Sequence, residues 1–252
     1  MTGAPRATAC FSFDNLGEAA DVGAGRVAGP LPRGGDASLA VGYPALFALL
    51  ERRALRSTFF VEGWNGLHHP AAVREIAERG HELGMHGWLH ETWHALDPST
   101  EADLARRATD ALEAAAGVRP RGFRAPGGRR SAATEGILLE LGYRYDASLS
   151  DGAQGATRLP GGLAQVPFVW AGVDGAYYLR SEPGQPEAVR DAWLAALARS
   201  AERGGLFVLI CHAFITGVDA ARVAALEAVI EAAQADPRVA VRTIGEVASA
   251  LD

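Results

Sequence analysis

The sequence has 252 residues, of which 48% are hydrophobic, enough for one large domain with a sizeable core. The formal net charge is −6 and basic residues come in short groups such as the pair Arg129 and Arg130, which argues against a nucleic-acid partner. No run of about 18 apolar residues is present, and residues 1–9 lack the apolar core of a signal peptide. Cys10 and Cys211 lie in apolar runs, which predicts buried thiols. We therefore expect a cytoplasmic protein without a membrane partner.

Predicted strands and helices alternate along the chain. Apolar runs rich in β-branched and aromatic residues predict strands at 7–13, 57–61, 82–86, from 122, and at 143–149, 165–170, 205–212 and 239–243. Apolar periodicity and capping residues predict helices at 43–53, 70–79, 97–116, 131–141, 187–202, 219–235 and 244–251. This alternation predicts an α/β fold with a parallel sheet, most simply a closed barrel, in one domain over 1–252. An open doubly wound sheet is the alternative, although no Gly-x-Gly-x-x-Gly follows a strand.

Two segments do not fit this alternation. Residues 17–42 are rich in Gly, Pro and Ala and too long for a simple turn, which predicts a functional loop or lid. Residues 151–162 are predicted to form a second loose loop.

Polar side chains recur where the predicted strands end. The set comprises Asp14, Asn15, His86, Arg124, Asp146 and His212, with His90 four residues beyond His86. In α/β barrels the carboxyl ends of the strands form the face on which active sites are built. Packing alone does not readily explain a carboxylate, a guanidinium and three imidazoles at one face, so we predict an active site there.

His86 and His90 form an H-x-x-x-H pair, a spacing that suits two ligands of one metal ion. Gly84 and Gly87 argue against a helix, so we place His86 at the end of a strand and His90 in the turn that follows. Two packed or surface histidines are the alternative interpretation of the pair.

Several of these residues belong to motifs that occur in a familiar order. The motifs are Phe13-Asp14-Asn15, Ser57 to Val61, Gly80 to Gly84, His86 to His90, Arg124 to Gly128, and Leu209 to His212. In these motifs the chain resembles the polysaccharide deacetylase (NodB-homology) family, the carbohydrate esterase family 4-like metal-dependent esterases and N-deacetylases. The resemblance runs from about residue 7 to residue 244 and implies a distorted (β/α)7 barrel.

Further segments suggest a branch of that family. They are Ser12 to Glu18, Val166 to Trp170 with Asp174 and Tyr177, and His212 to Gly217. These segments resemble a cytoplasmic branch that contains allantoinase-like amidohydrolases and a peptidoglycan-deacetylase-like group. Membership of that branch would imply a small-molecule substrate and, as in many of its members, a homo-oligomer.

The resemblance also implies a role for each residue. Asp14 corresponds to the general base, and Arg124 would orient it through a charge-assisted hydrogen bond. His86 and His90 correspond to metal ligands, and the metal, zinc in our expectation, would polarise the carbonyl of the substrate. His212 would protonate the leaving amine, and a backbone N–H after Arg124 would help to hold the oxyanion.

Asn15 departs from the family pattern, which has a metal-binding Asp at this position. A neutral amide oxygen is a poorer zinc ligand than a carboxylate because it lacks the opposite charge. Three outcomes follow: Asn15 coordinates weakly, Asp14 becomes the third ligand, or the site holds no metal, as in a relative with metal-independent chemistry. We expect a bound divalent metal.

The sequence favours a hydrolase of a carbon–nitrogen bond, an amide or N-acetyl group, in a small cytoplasmic substrate. Trp88 and Trp170 are candidate substrate-binding residues because their rings could stack on a sugar or another flat group, and core packing is the alternative for each. A relative repurposed for non-hydrolytic chemistry and a catalytically inactive binding protein are the competing functions.

Overall fold

The computed structural model describes residues 5–32, 34–149 and 155–251. Their strands are β1 (Ala7–Asp14), β2 (Thr58–Val61), β3 (Glu82–Met85), β4 (Gly122–Phe123), β5 (Tyr145–Asp146), β6 (Thr157–Arg158), β7 (Ala164–Gln165), β8 (Gly205–His212) and β9 (Val239–Val241). Their α-helices are α1 (Ala19–Gly23), α2 (Tyr43–Arg52), α3 (Gly63–His68), α4 (Pro70–Glu78), α5 (Pro98–Ala116), α6 (Thr134–Glu140), α7 (Gly175–Tyr178), α8 (Pro186–Arg203), α9 (Ala220–Ala235) and α10 (Ile244–Ser249). Two π-helical turns lie at Ser38–Gly42 and Ala213–Gly217.

The strands form one curled, mostly parallel sheet. Its order is β6-β7-β5-β4-β3-β2-β1-β8, with β9 paired to β1 and only β6 antiparallel to its neighbour. Beyond β7, Val173 forms an isolated parallel bridge with Ile210 of β8, so the two ends of the curled sheet meet. The predicted distorted (β/α)7 barrel is confirmed: seven parallel strands run from β7 to β8, and helices cover the outside.

Strands β1 and β8 form the longest pairing of the sheet. They pair in register from Ala7 opposite Gly205 to Asp14 opposite His212. Both strands are almost continuously buried, as expected of central parallel strands that are covered on both faces. The register sets the last residues of the two strands side by side, about 4.8 Å apart across the ladder.

Alternate side chains of β1 enter different layers of the core. Phe13 stacks on Phe59 with ring centroids 4.9 Å apart, in the layer between the sheet and α2. Cys10 belongs to the second cluster, which includes Phe60 and Ile210 and fills the barrel interior. Because side chains alternate along a strand, Ser12 and Asp14 share the interior face with Cys10.

The main departure from the predicted elements is helix α3, which the sequence analysis did not predict. Its glycines conceal the helical pattern, yet they allow α3 to approach α5 closely. A Cβ on Gly63 would lie 2.2 Å from the Cα of Ala108, and a Cβ on Gly66 would lie 2.4 Å from the carbonyl oxygen of Ala111. Strands β4, β5 and β7 are also shorter than predicted, with two residues each.

The predicted loop at 151–162 lies partly outside the described residues, and its described part contains β6. In the described ranges, no helix has the length and apolar character needed to cross a bilayer.

The α3–α5 contact gives a test of the packing. Replacement Gly63→Ala should lower the free energy of unfolding by about 1–3 kcal/mol, because the new methyl group meets the backbone of α5. Gly136→Ala is the matched control: Gly136 lies in α6, and no atom of the described part of the chain comes within 4 Å of a Cβ there, so alanine should raise stability by up to about 1 kcal/mol. Chemical denaturation measures both, and equal effects would contradict the close packing.

Candidate active site

A cleft of about 680 Å³ opens at the carboxyl ends of the strands. The six predicted catalytic and metal-binding residues all line it: Asp14, Asn15, His86, His90, Arg124 and His212. Residues of the predicted lid also contribute to its wall, including Ala20, Gly23 and Arg26. The structure therefore brings together side chains that the sequence analysis assigned to one site.

Asp14 and Arg124 form a buried ion pair in this cleft. Arg124 Nη1 donates to Asp14 Oδ1 over 2.6 Å and to Ser12 Oγ over 2.9 Å, while its Nε donates to the carbonyl oxygen of Ala147 over 3.0 Å. The guanidinium lies over the ring of Phe60, 4.2 Å from its centroid. Burial disfavours the charge of Asp14, but the charge and hydrogen bond of Arg124 act together with His86 and His212 and lower the pKa of Asp14 below its ordinary value. Asp14 is therefore an ionised carboxylate in a fixed orientation.

His212 is held by a second carboxylate, that of Asp174. The Nδ1–H of His212 donates to Asp174 Oδ1 over 2.6 Å, and its backbone N–H donates to Oδ2 over 2.8 Å. The hydroxyl of Thr216 also donates to Oδ2, over 2.7 Å. Burial lowers the pKa of an imidazole, but the charge and hydrogen bond of Asp174 outweigh burial and raise the pKa of His212. His212 can therefore hold a proton on Nε2 near neutral pH.

His86 and His90 lie where they were predicted, at the end of β3 and in the turn after it. Their rings meet edge to face with centroids 5.1 Å apart. The turn is tight because His90 has a φ of +63°. Glu91 stabilises it by accepting the N–H groups of Trp88 over 3.0 Å and Leu89 over 2.8 Å.

Both imidazoles are uncharged, which is the form in which histidine binds a metal ion. Burial lowers the pKa of His86 to about 3 and also lowers the pKa of His90, so both rings are neutral. The Nδ1–H of His86 donates to the carbonyl oxygen of Arg124 over 2.8 Å, which leaves Nε2 with a free lone pair.

Asn15 is anchored by Glu62, a fully buried residue that follows β2. The side-chain nitrogen of Asn15 donates to Glu62 Oε1, and the backbone N–H of Leu16 donates to Oε2 over 3.1 Å. Burial raises the pKa of Glu62 to about 7 despite these hydrogen bonds. Asn15 lines the cleft, and its side-chain nitrogen is already bonded to Glu62. Its amide oxygen is therefore the side-chain atom that could bind an ion together with the two imidazoles.

The donor set fits a divalent ion that is held weakly. Two neutral imidazoles suit zinc, and the amide oxygen of Asn15 adds a third, uncharged donor. In the described ranges, no three side chains of the His, Cys, Asp and Glu types are arranged to hold an ion.

The two predicted substrate-binding tryptophans differ in position. Trp170 is 51% exposed at the rim of the cleft and meets Phe168 edge to face. Trp88 is buried beneath the guanidinium of Arg107, 3.7 Å from its ring, and is not among the described residues that line the cleft. Its predicted substrate contact is wrong, because the turn directs His86 and His90 into the cleft and Trp88 into the helical layer. Asp146, a further strand-terminal residue, is buried with Arg130 and Ser148 outside that lining.

Sequence reasoning did not assign functional positions to Glu62, Glu91 and Asp174. Glu62 directly follows a buried strand, so the signal that identified the other residues was present for it too. Glu91 and Asp174 lie in irregular segments, where neither spacing nor strand position distinguishes them, although Asp174 belongs to the segments that suggested a branch of the family.

Comparison with known proteins identifies the family. The family model described as "Polysaccharide deacetylase" matches residues 35–145. A solved structure of a polysaccharide deacetylase from Mycobacterium smegmatis is 30% identical with a TM-score of 0.88, and the match covers 98% of this chain and 91% of that one. The chain belongs to the polysaccharide deacetylase family.

Other proteins match this chain over a smaller part or at lower identity. A peptidoglycan deacetylase-like protein of Gibberella zeae is 34% identical over 112 residues, 44% of this chain but 33% of that protein, so the match spans about a third of the relative's length. The Puue allantoinase has a TM-score of 0.80 at 19% identity, with 99% of this chain and 91% of that one covered. At this identity the likeness shows the shared fold alone.

The pair formed by Asp174 and His212 gives a test that requires no substrate. Asp174→Asn removes the charge that favours the imidazolium, so the pKa of His212 should fall by about one unit or more. The pKa is measured from the pH dependence of the His212 ring resonances in NMR spectra. Asp103→Asn, on an exposed face of α5, is the matched control and should leave the pKa unchanged. An unchanged pKa in Asp174→Asn would show that the pair does not control His212.

Proposed function

We propose that the protein hydrolyses a carbon–nitrogen bond, in an amide or N-acetyl group, as a deacetylase-like enzyme. One observation carries the proposal: Asp14 and His212 lie side by side at the ends of β1 and β8, and each is held by a buried group of opposite charge. A base and an acid whose environments shift their pKa values in opposite directions are what amide hydrolysis requires.

The two residues divide the proton transfers between them. Asp14, ionised through Arg124, accepts a proton from the attacking water. His212, protonated on Nε2 while Asp174 holds its Nδ1–H, donates a proton to the leaving nitrogen. Positioned proton transfers of this kind contribute about 10²–10⁴ in rate each.

The remaining polar groups position the carbonyl. His86, His90 and the amide oxygen of Asn15 would hold a divalent ion, zinc by ligand preference, which supplies Lewis-acid polarisation when bound. Of the backbone donors after Arg124, the N–H of Ala125 is committed to Ser148 Oγ over 2.9 Å. Gly127 provides the next N–H along the chain, and it lines the cleft where an oxyanion donor is needed.

The wall near β8 suits an apolar or flat substituent of the substrate. Trp170, Leu179 and Phe214 are exposed at the rim, and Phe168 lies below them. We propose a small, cytoplasmic substrate with such a group beside its amide, and a homo-oligomeric protein, as the resembling branch suggests. The second candidate is non-hydrolytic or metal-independent chemistry in the same cleft, which the neutral Asn15 favours.

Replacement of the proposed acid tests the reaction. His212→Ala should lower kcat by about 10²-fold or more on any amide or acetyl ester that is turned over, because the leaving group loses its proton donor. His94→Ala, outside the cleft on an exposed turn, is the matched control and should retain activity. Mass spectrometry of the product must show the addition of one water. A product isomeric with the substrate would contradict hydrolysis and favour the second candidate.

Removal of metal tests whether the activity requires a divalent ion. Protein purified without added metal should contain a divalent ion at less than full occupancy, and chelator should reduce activity until zinc is restored, because all three of its donors are uncharged. Elemental analysis and assays before and after dialysis provide the measurements. Less than about a tenth of an equivalent, with activity unaffected by chelator, would exclude a metal requirement.

A further inference from the structure

We propose that Glu62 is a positioning residue that makes an amide, and not a carboxylate, the required side chain at position 15. Asn15 and Glu62 would then form a matched pair in which the negative charge lies behind the cleft and the neutral group faces His86 and His90. The inference deepens the proposed function at its ion site, and its test uses binding and stability without turnover.

The polar groups around Glu62 all present hydrogen-bond donors to it. Its carboxylate accepts from three donors: the Asn15 side-chain nitrogen, the Leu16 backbone N–H over 3.1 Å, and the Asn65 side-chain nitrogen over 3.1 Å. The backbone N–H of Leu16 cannot be reversed. Asn65 directs its nitrogen to Glu62 although its own Oδ1 is buried and finds no partner among the described residues. This site is therefore built for an acceptor with two oxygens.

The backbone of Asn15 is held in place on both sides. Its backbone has a φ of +63°, a left-handed conformation that Asn tolerates better than most residues. Its N–H donates to the carbonyl oxygen of Phe60 over 3.2 Å, and its carbonyl oxygen accepts from the hydroxyl of Tyr43 over 2.7 Å. The peptide groups on both sides of Asn15 are thus fixed, so its Cα–Cβ bond keeps its direction towards Glu62.

These constraints explain the departure from the family's aspartate. An aspartate at position 15 would place one of its oxygens against Glu62 Oε1 in a buried site where screening by water is weak, so the two carboxyl groups could not both be ionised without a large cost. A glutamine at position 62 would reverse the contact: its nitrogen would donate to the introduced aspartate, and its oxygen would accept from Leu16 and Asn65. The two substitutions together therefore transfer the negative charge from behind the cleft to the ion-facing position, with the total charge unchanged.

The two single substitutions differ in their effect. Asn15→Asp opposes two carboxyl groups. In Glu62→Gln the new oxygen keeps the contacts with Leu16 and Asn65, so the new nitrogen faces position 15 and the Asn15 amide must turn over to accept from it. The amide oxygen of Asn15 then no longer faces the two histidines. In the double variant the same nitrogen donates to the introduced aspartate, which relieves the contact that Asn15→Asp creates and predicts coupling between the two positions.

The experiment compares the wild type, Asn15→Asp, Glu62→Gln and the double variant after removal of metal. We measure zinc affinity by calorimetric titration in mildly alkaline buffer and Tm without zinc. Asn15→Asp should lower Tm, and Tm in the double variant should recover towards the wild-type value. The double variant should bind zinc about tenfold or more tighter than the wild type, because a carboxylate then faces the two histidines.

A second buried glutamate provides the matched control. Glu101 is also fully buried and accepts the indole N–H of Trp93 over 2.8 Å, but it lies elsewhere in the fold. In Asn15→Asp combined with Glu101→Gln, the losses in Tm should add without recovery.

Two results would overturn the proposal. One is a double variant whose loss in Tm equals or exceeds the sum of the single losses, including failure to fold. The other is zinc binding by the double variant that is no tighter than that of the wild type. Because no substrate is used, either result leaves hydrolysis by Asp14 and His212 open, and failure to hydrolyse amides leaves this pair unaffected.

Discussion

The buried ion pair between Asp14 and Arg124 connects the fold to the chemistry. Arg124 is 1% exposed and reaches from the end of β4 across the barrel interior to β1. A guanidinium in that position requires an anionic partner, and removal of one member of such a pair typically costs about 3–5 kcal/mol. The interaction that keeps the interior electrically balanced also fixes the orientation and charge of the proposed base. Stability and reactivity therefore depend on the same contact.

The sequence predicted the fold well because the long elements have clear patterns. Strand β8 has the limits that its apolar run indicated, and β1 is one residue longer than predicted. The polar residues at strand ends meet in one cleft, as parallel topology requires. Helix α3 was missed because its glycines serve a close contact with α5, and a contact between distant segments leaves no periodic signal.

The sequence did not predict which side chains, far apart along the chain, contact each other. Glu62 meets Asn15 across 47 positions, and Asp174 meets His212 across 38. Both contacts depend on which strands are neighbours and on the direction of each side chain. The same limit explains Trp88: a turn next to the site orients neighbouring side chains differently, and only the backbone geometry decides which of them enters the cleft.

The meeting point of the sheet ends has a consequence for the proposed acid. Asp174 directly follows Val173, whose single bridge to Ile210 joins the segment after β7 to β8, and it accepts the backbone N–H of His212 as well as the ring. The imidazole thus receives the counter-charge of Asp174 while this seam is intact. Separation of the two edges would remove that counter-charge, so closure of the barrel and the raised pKa of His212 depend on the same short segment.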